Sequence, residues 1–88
     1  MKKKILRLPV NENWYNLIIN GEITIDYREV KPFWTKRLEN KTYDIVEFYH
    51  RFNKTISPVR YTFEWIDKGR LLHIDKVVYL IKFGERIE

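Results

Sequence analysis

Residues 21–38 read GEITIDYREVKPFWTKRL, and their pattern decides the fold class. Ile23, Ile25 and Tyr27 alternate with Thr24, Asp26 and Arg28. Successive side chains of a strand point to opposite faces, so a period of two predicts a strand here. Its apolar face would enter a core, and its other face would carry a hydroxyl, a carboxylate and a guanidinium in a row. Lys31-Pro32 then opens a short helix, because proline suits a first turn, where its missing N–H has no intrahelical partner to lose. Trp34 and Leu38, four apart, share one face of that helix. Lys36, Arg37 and Lys41 add positive charge, and Asn40 offers a stop.

Toward the N-terminus, Lys3 to Leu8 alternate as a first strand, which Pro9 is expected to end because proline cannot donate to a ladder. Asn11 or Asn13 caps a helix whose apolar face carries Trp14, Leu17 and Ile18, and Gly21 stops it. A helix of about ten residues is too short to persist alone, so it must pack on a sheet. Toward the C-terminus, Tyr43–Phe52 reads as a strand and Ser57-Pro58 as a turn. Val59–Ile66 is the next strand, with Val59, Tyr61, Phe63 and Trp65 on a core face. Asp67-Lys68-Gly69-Arg70 reads as a turn, and Lys76–Phe83 as a last strand apolar enough to be central. The expected architecture is one α+β domain over residues 1–88: a small, mostly antiparallel barrel of five or six strands with two short helices. An open sheet with helices on one face is the alternative.

The composition bounds the chemistry. The chain has 88 residues, 44% hydrophobic and 33% charged, enough for one modest core in a folded chain. The absence of cysteine excludes disulfides and cysteine-based zinc sites. Only two histidines, His50 and His73, are present, so no metal and no cofactor is expected. The basic start MKKK is followed by too short an apolar stretch for a signal peptide, and no run approaches the ~20 residues of a membrane span. The expected location is cytoplasmic, away from any membrane. The net charge of +5 favours a polyanionic partner or simply aids solubility.

Two stretches, WYNLIINGEITIDYREVKPFWTKRL over residues 14–38 and YDIVEF over 43–48, resemble the ASCH domain of the PUA-like superfamily, in its short phage and bacterial form. The matching pattern is a helix ending in I-x-x-G, then G-x-K-T-x-E-x-R, then K-P-F-W-x-x-R-L. The resemblance implies a PUA-like pseudobarrel with a cleft beside the first helix, lined by the polar face of the strand. Relatives are proposed to bind RNA or nucleotides. Others are small amidohydrolases acting on an acetylated cytidine nucleoside, with a lysine two residues after the glycine, a threonine three further on and a late glutamate.

Gly21 matches the glycine, Thr24 a common threonine of the signature, and Arg28 its arginine. The lysine position holds Ile23 and the catalytic threonine position holds Asp26, and the late glutamate has no counterpart. Isoleucine can neither move a proton nor form a covalent bond, which disfavours the hydrolase. Asp26 could serve as a base alone, but Arg28 beside it is expected to lower its pKa.

The leading reading is therefore an RNA- or nucleotide-binding module. Thr24, Asp26 and Arg28 would make polar contacts, and Lys36, Arg37 and Arg51 would steer phosphates. Trp34 and Tyr49 would offer stacking surfaces, and His50 would line the same cleft. Each has a purely structural counterpart: an Asp26–Arg28 ion pair, Trp34 as a core anchor, His50 as an ordinary strand end. A docking protein for a partner protein is the third reading.

Overall fold

A computed structural model describes residues 2–87. The chain runs β1 (Ile5–Val10), α1 (Glu12–Ile19), β2 (Ile25–Glu29), α2 (Pro32–Leu38), β3 (Ile45–His50), β4 (Val59–Leu71) and β5 (Lys76–Arg86). The five strands form one mixed sheet in the order β1-β3-β4-β5-β2. The β1–β3 ladder is parallel and the other three are antiparallel. This is a small α+β fold. Its ladder does not close: β1 and β2 are the two ends of the order.

The core lies on one face of this sheet. Leu6 and Leu8 of β1, Val46 and Phe48 of β3, and Ile81 and Phe83 of β5 are almost completely buried. Phe48, Tyr61 and Phe83 meet edge to face with centroids 4.8–6.0 Å apart, a geometry that sets ring edges against ring faces. Helix α1 supplies Ile18, and α2 supplies Leu38.

The ends of α1 are set as its residues dictate. Asn11 accepts the Trp14 backbone N–H at 2.8 Å, so Asn11 rather than Asn13 is the cap. Gly21 adopts φ +75°, with Gly21 N–H donating to Ile18 and Glu22 N–H to Leu17, both at 3.0 Å. This pair of bonds is a Schellman ending, which satisfies two carbonyls the helix leaves over.

The strand ends shift, β3 to Ile45–His50 and β5 to Lys76–Arg86, and three further readings are corrected. Pro9 does not end β1; it pairs with Tyr49 in register and the strand runs on to Val10. An end strand needs partners on one side only, so a missing N–H directed outward costs the ladder nothing. Residues 67–70 are not a turn but part of β4, and the chain turns at 72–75, where Asp75 takes φ +45°. A Cβ at Gly69 would stand 2.7 Å from the Leu80 Cδ1, so that glycine accommodates a cross-strand side chain rather than a bend. Trp65 is not core but 42% exposed. The β4–β5 register shifts between Tyr61 and Phe63 and again between Phe63 and Trp65. A bulge reverses the inward set, so Ile66 faces Ile81 on the core side and Trp65 turns out.

Candidate functional site

The alternation in β2 is real, but its faces are the reverse of those expected. Asp26 stands opposite Ile81, and Arg28 opposite Tyr79, both partners being core residues. Asp26 is 1% exposed, whereas Tyr27, expected inside, is exposed. Thr24 lies just before the strand, exposed, and its carbonyl accepts the Phe83 N–H.

A carboxylate is tolerated at so buried a position because each oxygen is held. The Trp14 indole Nε1–H donates to Asp26 Oδ1 at 2.7 Å, and Arg28 Nε donates to Oδ2 at 2.6 Å. Arg28 Nη2 then reaches across to the Pro9 carbonyl at 2.9 Å, and the guanidinium carbon lies 4.9 Å over the Trp34 ring. In a strand the N–H and C=O of one residue point to the same side. The side on which Pro9 lacks a donor is therefore the side from which its carbonyl takes Arg28. One arginine thus links the two end strands, β2 to β1, where no ladder runs.

Burial pushes the Asp26 carboxyl above its ordinary value, by more than the Arg28 charge and the hydrogen bonds from Arg28 and Trp14 pull it down. The expectation that Arg28 would set the direction is therefore reversed: removal from water is the larger effect at this depth.

Beside this clasp opens a hollow of about 400 Å³ lined by Pro9, Val10, Asn11, Trp14, Asp26, Tyr27, Arg28, Arg51 and Phe52. Of the expected residues it brings together Asp26, Arg28 and Arg51. Asp26 has both oxygens engaged, so the open charge in it is cationic. Trp14, Tyr27 and Phe52 supply the rings; Trp14 and Tyr27 are 6.1 Å apart, and Phe52, 77% exposed, has Arg51 5.3 Å over its ring. Tyr27 and Phe52 were not expected here because alternation assigned the first to the core and the second closed the expected strand Tyr43–Phe52. A phenylalanine beside an arginine at a strand end was the available signal.

The other expected residues lie elsewhere. Lys36 and Arg37 are exposed on α2 outside this hollow, and Arg37 packs 3.7 Å over the Phe33 ring. Trp34 reaches it only through Arg28. Tyr49 and His50 border a different hollow of about 420 Å³ with Arg7, Lys54, Ile56 and Pro58. Ile23 packs against the core. Among the described residues, no three His, Cys, Asp or Glu side chains are grouped to hold a metal ion, and no helix is long and apolar enough to cross a membrane.

No protein-family model, curated protein or solved structure matches the chain.

Proposed function

We propose that this protein is a non-enzymatic binding module for RNA or a nucleotide, built on a PUA-like fold and using the hollow beside α1. The observation that carries the reading is the lining of that hollow. Two guanidiniums, Arg28 and Arg51, stand among three aromatic rings, and the one carboxylate there is already occupied. Cations with ring faces suit a phosphorylated base, which offers negative charge and a π-face together. The volume falls within the ~300–1,000 Å³ of small-molecule sites. The reach of Arg28 from β2 to Pro9 supports the pseudobarrel, since it spans the gap between the end strands. Binding is favoured over hydrolysis because Ile23 is packed inward and Asp26 has no oxygen to spare.

The test is titration of mononucleotides and short RNA and DNA oligomers at ~50 and ~200 mM salt, followed by tryptophan fluorescence, since Trp14 lines the hollow. Binding should weaken with salt, and Arg51→Ala should weaken it at both. Arg51 is exposed, so this variant leaves the core alone. No binding at ~50 mM, or full binding by Arg51→Ala, rejects the reading.

A further inference from the structure

The second hollow has a lining of its own kind. Arg7, Tyr49, His50, Lys54, Ile56 and Pro58 surround it, with no carboxylate among them. Arg7 is fixed on two sides: its Nε donates to Glu47 at 2.5 Å, and its guanidinium carbon lies 4.7 Å over the Tyr49 ring. Its side chain is nevertheless 60% exposed, so the terminal N–H groups of a held plane face solvent. His50 Nδ1 accepts the backbone N–H groups of Phe52 at 3.3 Å and Asn53 at 3.0 Å. Lys54 is exposed in the loop above. Glu47, which holds Arg7, is shared with Arg60 at 2.8 Å. Among the residues that line the hollow, Arg7 and Lys54 carry positive charge.

The two hollows are neighbours. Pro9 lines the first and Tyr49 the second, and these residues are partners across the β1–β3 ladder. Paired strands are ~4.8 Å apart, so the two linings meet at this rung of the ladder.

We propose that the second hollow is a phosphate site, taking the backbone of the single strand whose base or nucleotide occupies the first. Arg7 and Lys54 supply the charge. The proposal rests on the reading of the first hollow as a nucleotide site, and it makes the ligand an oligonucleotide, since a mononucleotide fills one hollow only.

The experiment compares a nucleoside 5′-monophosphate with twelve-nucleotide oligouridylate and oligoadenylate, for the native chain and Lys54→Ala, over ~50–200 mM salt. Lys54 is exposed and outside the core cluster, so the substitution leaves the core alone. Losing one phosphate contact lowers the oligonucleotide's salt slope by ~0.7, which at ~50 mM is a weakening of up to about eightfold. The expected result is tighter binding of the oligomers than of the monophosphate, and a fall in that ratio in Lys54→Ala. Equal affinities for oligomer and monophosphate, or an unchanged ratio and slope in the variant, overturn this proposal while the first hollow keeps its role. No binding of either ligand by the native chain overturns both.

Discussion

At the scale of single residues, Asp26 and Glu47 show two outcomes for a carboxylate beside arginine. Asp26 is so deeply buried that the cost of removing its charge from water outweighs its partners, and its pKa rises. Ion pairs of this kind add little net stability, yet breaking one strands a charge. Asp26→Asn should therefore cost ~3–5 kcal/mol, because the amide sets a donor or a weaker acceptor against Arg28. The double variant Asp26→Leu/Arg28→Met should be more stable than Asp26→Asn, since no unpaired charge remains. Urea unfolding of the single and double variants measures both, and a double variant as weak as the single would show that the charge was not the cause.

Glu47 differs. Burial raises its pKa, but hydrogen bonds and charge from Arg7 and Arg60 more than offset this, so the net direction is down from the ordinary 4.5. A carboxylate lowered on folding contributes stability that is complete above its unfolded value and is lost as pH falls through its folded value. The Glu47 contribution should hold down to about pH 5 and be lost below about pH 4.5, while Asp26, with its pKa raised, contributes in the opposite direction as the pH falls. Glu47→Gln should be less stable at neutral pH by on the order of 1 kcal/mol, because the exposed Arg7 end is screened. It should also show a flatter acid limb. Denaturation midpoints from pH 3 to 7 check this.

At the scale of elements, the parts of the fold legible in the sequence are those decided by local chemistry. Asn11, Gly21 and the Lys31-Pro32 start set helix ends through their own backbone or side-chain geometry, and each helix stands where they place it. The strand faces were harder to read. Alternation gave the period of β2 correctly, but an Ile/Asp/Tyr/Arg strand has no purely apolar side. Which side enters was decided by the Trp14 and Arg28 donors that make Asp26 acceptable inside. In β4 the bulge that turns Trp65 outward depends on the cross-strand register with β5, which no window of one strand contains.

Gly21 offers a clean test of the local rule, since a Cβ there would meet nothing within 4 Å. Its replacement feels only the left-handed φ. Gly21→Ala should cost ~1–2 kcal/mol, and Gly21→Asn less, because asparagine tolerates that conformation. Thermal unfolding of both ranks them, and equal losses would mean that the strain is not conformational.

At the scale of the whole molecule, the sheet is an open order whose ends are joined by side chains rather than by a ladder. A hollow lies beside the start of α1; its lining was only partly legible in the sequence because residues 51–52 reach it from beyond the end of β3. Tertiary placement also split the expected cations between the first hollow and α2, something residue spacing alone does not encode. The clasp has a consequence for motion. β3, β4 and β5 are interior strands with two ladders each, whereas β1 and β2 have one. Amide exchange should therefore be slowest in β3, β4 and β5 and faster in β1 and β2. If Arg28 is what couples the two end strands, Arg28→Met should speed exchange in β1 near Pro9 as well as in β2, while β4 keeps its relative protection. Exchange confined to β2 would instead mean that Arg28 serves Asp26 alone and that β1 is held by β3 without help from across the gap.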